Sequence, residues 1–330
     1  MDSQEPQPGH GPTPIPQNPP ELWVILAGCL LAATLIGHTY IFRGPGGELS
    51  LWLYKKGRFA AGLGAWLLGL LALITALRRP PILRRWRIEG FILLMLVIFS
   101  APIPYGYPSP RRNTPSQVEF RLPVTGGPWR VWYGGGGGAH NPLTLETDRC
   151  HGWLLVREDD GSHWRQTDYD KMKPEQSLSF GEPVVAPAAG LVVAAVGDEP
   201  DRSFQLRDLE ATERGNHVVI QVAEGEYLIL AHLKQGSLRV AEGDRVEIGQ
   251  PIGLVGSSGR GVPLTEPHLD IHLANHPDGA RGEGIPMQFH GYRSLEGPVP
   301  VGIPRGRLDS HGELAGDLIF GEETEVPAPR

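Results

Sequence analysis

Cysteine is scarce in this chain of 330 residues: Cys29 lies in an apolar run, and Cys150 lies far from it in a polar region. A disulfide framework is therefore not expected, and cysteine does not reveal the redox compartment. Aromatic residues make up only 8%, whereas there are 44 glycines and 32 prolines. This composition favours turns, short strands and flexible linkers over long packed helices.

Positive charge is sparse after residue 112, where the formal net charge is −13, against +6 for residues 1–112. A strongly acidic region argues against a nucleic-acid partner, and none is expected. The basic residues of the first part lie between apolar segments, a placement typical of membrane anchoring.

Residues 1–21 lack Lys and Arg, contain many prolines and have almost no apolar side chains. A segment of this composition cannot bury enough apolar surface to fold, so it predicts a disordered Pro-rich tail. It also lacks the basic start of a secretory signal.

Three apolar segments then predict a membrane region over 22–107, with helices at about 22–42, 59–77 and 88–107. A helix needs about 20 apolar residues to cross the hydrocarbon core. The third segment is interrupted by Glu89 and by two prolines. The alternative interpretation is a set of buried core helices.

The charges that flank these segments leave the membrane orientation open. Five arginines in 78–87 favour the cytoplasm, but seven Lys and Arg residues flank the segments on the opposite side, in 43–58 and 111–121. The positive-inside rule therefore does not decide on which side the rest of the chain lies.

From residue 108 the chain changes character, and 108–116 is interpreted as a linker. Short β-type runs separated by Gly, Pro and Asp follow, from "EFRLPV" to "HLDIHLA", and predict an all-β domain over 117–295. The letters "AEGE" between two such runs predict a β-hairpin. Residues 296–330 lose the pattern and are interpreted as a Pro-, Gly- and acid-rich tail.

Groups able to bind metal or to carry protons occur at several points of this predicted domain. His268, Asp270 and His272 alternate with aliphatic residues, so on a strand they would share one face. Imidazole and carboxylate are the usual ligands of catalytic zinc. The other candidates are histidines at the ends of runs: His140, His151 and His232.

The order of five motifs between 181 and 273 resembles the lysostaphin-like (LytM-like) zinc metallopeptidases. These motifs are "GEPVVAPAAGLVVAAV", "GNHVVIQ", "YLILAHL", "VAEGDRVEIGQPIGLVGSSG" and "PHLDIHL". The resemblance implies an all-β peptidase domain of antiparallel sheets with a groove, here preceded by the three predicted transmembrane helices. It also implies a zinc cofactor and peptide cross-bridges or stems of peptidoglycan as the substrate.

Carried over by position, the resemblance makes His232 and His268 the two proton-handling residues and His140 the early metal ligand. Two ligand positions depart from the family pattern. Asp270 stands where the second His of H-x-H is expected, and Trp153 or a neighbouring Leu stands where an early Asp is expected.

These departures leave two interpretations open. In the first, the ligands have been exchanged, and zinc is held by His140, His151 and Asp270, with His272 as a spare. The protein is then a zinc endopeptidase in which zinc activates water, and His232 or His268 accepts its proton. In the second, the domain has lost its activity and serves as a module that binds the cell wall or another protein, or has a regulatory role.

A peptidoglycan substrate implies a bacterial cytoplasmic (inner) membrane protein with its β domain on the extracytoplasmic side. A β domain that faces the cytoplasm is the third possibility. All of these interpretations require His232 and His268 to face each other across one pocket.

Overall fold

A computed structural model describes residues 21–78, 85–101, 103–134, 141–159, 173–202, 211–260, 266–296 and 302–310. His140 of the predicted zinc set lies outside these residues, as do nearly all of the predicted tail 1–21 and the end of the chain from 311. The chain divides into two units, Met1–His38 with Lys55–Ile103, and Thr39–Tyr54 with Pro104–Arg330.

The α-helices lie in the first third of the chain, and two 3₁₀ helices, Pro142–Leu145 and Pro174–Gln176, follow later. The helical elements of the first third are α1 (Leu22–Arg43), α2 (Glu48–Trp52), a π-helical turn (Leu53–Gly57), α3 (Arg58–Arg78) and α4 (Arg85–Ser100). In the first unit small residues such as Ala27, Ala65 and Ala72 form the buried contact, together with Leu94 and Val97. Larger apolar side chains of the same helices are exposed, which is the arrangement expected of helices that face lipid.

Two helical stretches of the described chain, Leu22–Arg43 and Glu48–Arg78, are long and apolar enough to cross a membrane. The third predicted span, 88–107, differs from the structure. Helix α4 has 16 residues and ends at Ser100, and the chain from Ile103 to Ser109 is not helical. A helix of that length extends only about 24 Å, less than the roughly 30 Å hydrocarbon core. The described fold therefore supports two candidate spans and not clearly three.

The second unit is rich in β-structure, as the sequence predicted. Its described strands are β1 (Phe120–Arg121), β2 (Gly126–Tyr133), β3 (Trp153–Arg157), β4 (Pro183–Val185), β5 (Gly190–Val196), β6 (Asn216–Ala223), β7 (Glu226–Leu233), β8 (Arg245–Val246), β9 (Pro251–Leu254), β10 (Leu269–Ala274), β11 (Gly284–Ile285), β12 (Phe289–His290), β13 (Tyr292–Ser294) and β14 (Gly306–Ser310).

Strand β10 occupies the middle of the main sheet, whose order is β13-β14-β2-β3-β10-β7-β6-β5-β8, with β11 also paired to β10. Its neighbours β3 and β7 are both antiparallel to it. Two small sheets, the parallel pair β1-β12 and the antiparallel pair β4-β9, complete the unit. The predicted hairpin is confirmed, because β6 and β7 pair across Glu224 and Gly225.

The two faces of β10 have different chemistry because alternate residues of a strand point to opposite sides. Leu269, Ile271 and Leu273 belong to the main apolar core, which also contains Trp129 and Trp153. Asp270 and His272 lie on the other face and are completely buried. Two polar side chains in the centre of a sheet need polar partners, and these partners form the candidate site.

Two segments that the sequence places outside the β domain contact it in the structure. Strand β14 lies in the predicted tail 296–330, yet it pairs with β2 and β13 in the main sheet. In the predicted linker 108–116, the Ser109 hydroxyl donates to the Gly284 carbonyl and the Ser116 hydroxyl donates to Glu226. Both segments are therefore bonded to the sheet domain.

Candidate functional site

His232 lies near the end of β7 in a backbone conformation that non-glycine residues rarely adopt. Its φ is 63°, the only positive value among the non-glycine residues that the structure describes. The conformation is fixed on both sides: its N–H donates to the Arg214 carbonyl (3.0 Å), and its carbonyl accepts from the Gly256 N–H (2.9 Å). Such strain persists where the surrounding structure enforces it, often at functional sites.

His268 lies directly before β10 and is buried against His232. The ring centroids are 4.8 Å apart, and the residues are only 2% and 3% exposed. The structure thus brings together the two imidazoles that the sequence analysis required to face each other. Burial lowers the pKa of His232 to about 3 and lowers that of His268 below its usual value.

A close approach of two backbone segments positions the His232 ring. Its Nδ1 lies 2.9 Å from the Ser258 carbonyl oxygen, and Gly215, with φ of 58°, packs against that same carbonyl. A Cβ added at Gly215 would lie 2.5 Å from the carbonyl carbon and oxygen of Ser258. Only glycine fits this contact.

Gly215→Ala is therefore expected to destabilise the domain more than Gly225→Ala, its matched control. Gly225 has a similar φ of 67° but open space around it. Both changes incur the left-handed strain of about 1–2 kcal/mol, and overpacking adds about 1–3 kcal/mol at Gly215 alone. Urea unfolding followed by pulse proteolysis of both variants measures the difference, and equal losses would contradict this role for Gly215.

Both carboxylate oxygens of Asp270 are already engaged. His272 Nδ1 donates to Oδ1 at 2.7 Å, and Arg149 Nη1 donates to Oδ2 at 3.0 Å. Burial alone would raise the pKa of Asp270, but His272 and the Arg149 guanidinium hold it well below its usual range. Asp270 is therefore a carboxylate that serves two protein donors.

This pair belongs to a larger network of charges on the polar face of the sheet. Arg149 also donates to Glu213 at 3.2 Å, and Arg214 donates to Asp148 at 3.0 Å. His272 Nε2 lies 3.6 Å from Asp148, so that ring stands between two carboxylates. The buried carboxylates thus have cationic or N–H partners, which is the condition for tolerating charge inside a protein.

The residue opposite Asp270 on β3 is Leu154, whereas Trp153 pairs with Ile271. The side chain of Trp153 lies in the apolar core and packs edge-on against Phe289, with ring centroids 5.1 Å apart. Of the two positions considered for the missing Asp, Leu154 is therefore the one whose side chain shares the face of Asp270.

His151 lies in the turn before β3, where burial lowers its pKa to about 4. No described hydrogen bond or ion pair links it to Asp270, whose oxygens bond to Arg149 and His272 instead. His140 lies outside the described residues, so the set of His140, His151 and Asp270 stays a prediction.

The described residues do not fit the zinc that the resemblance implies. Leucine has no atom that can coordinate a metal, and the Arg149 guanidinium places a permanent positive charge 3.0 Å from Asp270. Within the described part of the chain, no group of three or more His, Cys, Asp or Glu side chains could hold a metal ion.

The sequence analysis missed Asp148 and Arg149 and treated His272 only as a spare ligand. A possible signal was the dipeptide Asp148-Arg149 just before the early motif, since charged residues beside buried strands need partners. Sequence alone did not reveal that the partner of Arg149 would be Asp270, 121 residues away.

Residues 176–281 match the sequence profile of peptidase family M23. No curated protein matches the chain significantly. The matched segment contains His232, His268 and Asp270 but begins after Arg149 and Leu154, so the departures on β3 lie outside it.

Several solved structures are similar to the chain. The catalytic domain of the prophage-encoded M23 protein EnpA from Enterococcus faecalis is 24% identical, with a TM-score of 0.30, over 50% of this chain and 93% of its own. Lysostaphin from Staphylococcus simulans is 18% identical, with a TM-score of 0.29, over 51% of this chain and 52% of its own. A putative M23 peptidase from Pseudomonas aeruginosa is 20% identical, with a TM-score of 0.28, over 48% of this chain and 46% of its own.

These TM-scores are low, so the assignment depends on the sequence-profile match and on the motifs within it. The matched segment carries β4 to β10 of the described sheets and both facing imidazoles. Residues 176–281 of the chain therefore match peptidase family M23, and the matched segment forms part of the main sheet.

Proposed function

We propose that this protein is membrane-anchored and that its M23 domain binds peptides of cell-wall peptidoglycan without hydrolysing them. The observation that carries this proposal is the buried ion pair of Arg149 with Asp270, opposite Leu154. A guanidinium beside Asp270 neutralises the carboxylate, so a divalent metal gains little attraction there and meets a fixed like charge.

The anchoring part of the proposal is supported by the two apolar helical stretches, Leu22–Arg43 and Glu48–Arg78. Their large side chains are exposed, as on Ile36, Leu63 and Trp66. Lipid would cover such a surface. A third span at 88–107 remains part of the prediction from sequence. A peptidoglycan ligand places the β domain on the extracytoplasmic side, which protease accessibility in spheroplasts tests directly.

The binding part is supported by the preserved His232 and His268 pair. The strained backbone of His232 and the burial of both rings would be costly without a role in ligand binding. A domain that has lost its metal ligands but keeps this pair has the means to bind a peptide and lacks the means to activate water with a metal.

The proposal predicts less than stoichiometric zinc in the purified full chain after dialysis against micromolar zinc, measured by elemental analysis. We also expect no release of peptides from purified peptidoglycan, but co-sedimentation with it. Co-sedimentation should weaken in His232→Asn and persist in the matched surface variant Arg281→Gln. One zinc per chain that is lost in both His140→Ala and Asp270→Asn, together with peptide release, would instead favour the zinc endopeptidase.

A further inference from the structure

The hydrogen bonds of His232 and His268 fix which ring nitrogen of each carries the proton. His232 Nδ1 lies 2.9 Å from the Ser258 carbonyl oxygen, and His268 Nδ1 lies 2.7 Å from the Glu266 carbonyl oxygen. A carbonyl oxygen can only accept, so each Nδ1 must be the donor. In a neutral ring with Nδ1–H, the Nε2 atom is then an acceptor.

The two Nε2 acceptors therefore lie close together in the protein interior, with no hydrogen-bond donor among the described residues. Neither Nε2 atom has a hydrogen-bond partner among the described residues, although both are buried. The nearby guanidinium groups are used elsewhere: Arg149 donates to Asp270 and Glu213, and Arg214 donates to Asp148 and the Pro277 carbonyl. Because an unpaired buried acceptor is unfavourable, the pair is suited to a ligand that brings donors.

The geometry of the pair selects the kind of donor. Ring centroids 4.8 Å apart are close enough for both Nε2 atoms to be reached by hydrogens on a single ligand atom. A backbone amide nitrogen has one hydrogen and satisfies one ring, whereas an ammonium nitrogen has three.

The charges around the rings admit a singly charged cation among such donors. The network contains three carboxylates, those of Asp148, Glu213 and Asp270, and two guanidinium groups, those of Arg149 and Arg214. These five groups sum to a formal charge of −1. Asp270 and Arg149 act on both rings in opposite directions, so Arg149 alone does not exclude a positive ligand.

We propose that His232 and His268 together bind a primary ammonium group of a peptide, which donates one N–H to each Nε2 atom. This inference rests on the proposed function, since the ammonium group belongs to the cell-wall peptide that the domain binds. The ammonium can come from a free amino terminus or from a side-chain amine. Both sources offer the same three donors on one nitrogen.

The test uses the full chain in detergent micelles with its histidines labelled with ¹⁵N, followed by long-range ¹H–¹⁵N correlation spectra. The probes are glycinamide, N-acetyl-lysinamide and N-acetylglycinamide, which carry a terminal amine, a side-chain amine and no amine. We expect the Nδ1–H form for both rings, and shifts of both Nε2 signals with the two amines. N-acetylglycinamide should bind at least tenfold more weakly than the better amine, and the order of the two amines identifies the source.

Two variants separate the pair from its surroundings. His232→Asn should weaken amine binding at least tenfold, because one acceptor is lost. His217→Gln is the matched control and should leave binding unchanged. The Nδ1 of His217 also bonds a backbone carbonyl, that of Gly215, at 2.7 Å, but its ring is not part of the facing pair.

An Nε2–H form in either ring, or binding of N-acetylglycinamide as tight as that of the better amine, would overturn the inference. The ammonium site and the proposed function can fail separately. If peptidoglycan binds equally well after its amines are acetylated, the ammonium site is wrong and the proposed function stands. If the amines bind but peptidoglycan does not, the proposed function is wrong.

Discussion

Replacing Arg149 by methionine should be among the most destabilising single changes in the β domain, with an expected loss of about 3–5 kcal/mol in the free energy of unfolding. The Arg149 guanidinium is 2% exposed, and Asp270 is completely buried. Methionine fills similar space but leaves the Asp270 carboxylate with only the His272 donor. An uncompensated charge in the middle of a sheet is costly because nothing replaces its hydration.

Two comparisons make this prediction specific to the buried pair. Arg281→Met removes an arginine from the exposed pair with Glu48, and such surface pairs contribute only about 0–1 kcal/mol. The double variant Arg149→Met with Asp270→Asn should recover most of the loss, because the amide oxygen still accepts from His272 without a charge. Pulse proteolysis in urea on the full chain measures all three. If Arg149→Met lowers the free energy of unfolding no more than Arg281→Met does, the buried ion pair does not stabilise the domain.

Much of the β fold could be predicted because its signals are local. The hairpin of β6 and β7 depends on two residues at the turn, and the facing of His232 and His268 follows from a motif order spread over neighbouring strands. The limits of the domain were harder to predict. Strand β14 contains a Gly, an Asp and a Ser in five residues, so its composition resembles the tail around it. Only pairing with β13 and with β2, which is distant in sequence, makes it a strand.

The candidate site could be predicted in part, for a similar reason. Periodicity placed Asp270 and His272 on one face of a strand, and they do share it. The same spacing could not show that Arg149, from a turn far away in the chain, would take the carboxylate that a zinc set needs. Likewise, Leu154 and Trp153 differ by one position, and only the register of β3 against β10 decides which of them faces Asp270.

Acidification from pH 7 to pH 5 should destabilise the β domain by about 2 kcal/mol or more, because buried neutral histidines must take up protons when it unfolds. Burial lowers the pKa of His151 to about 4 and of His232 to about 3, and lowers that of His268 and His217 as well. In the unfolded chain these rings titrate near the usual value of about 6.5, so stability falls as the pH drops below that value. His151 and His232 each contribute about 2 kcal/mol of the loss over this range, and His268 and His217 add to it.

Glu266 acts in the opposite direction and so supplies the control for this prediction. Burial raises its pKa to about 7, so the folded state holds a proton that the unfolded chain releases until about pH 4.3. Lowering the pH to 5 therefore returns about 2 kcal/mol through Glu266, which leaves a net loss of about 2 kcal/mol from His151 and His232, increased by His268 and His217. The pKa values of Asp148 and Asp270 are lowered, so their contribution is present above about pH 4 and does not change within this window.

Two variants with opposite expected effects test this balance. His232→Asn should reduce the loss between pH 7 and pH 5 by about 2 kcal/mol, whereas Glu266→Gln should increase it by about the same amount. Asparagine is chosen because it tolerates the left-handed backbone of His232. Urea unfolding followed by pulse proteolysis at half-unit pH steps gives the slope for each protein, so any constant loss of stability in a variant cancels. If the stability of the wild-type protein stays flat or rises toward pH 5, these imidazoles are solvated in the folded protein. The Nε2 atoms of His232 and His268 would then be bonded to water, and they would not need donors from a ligand.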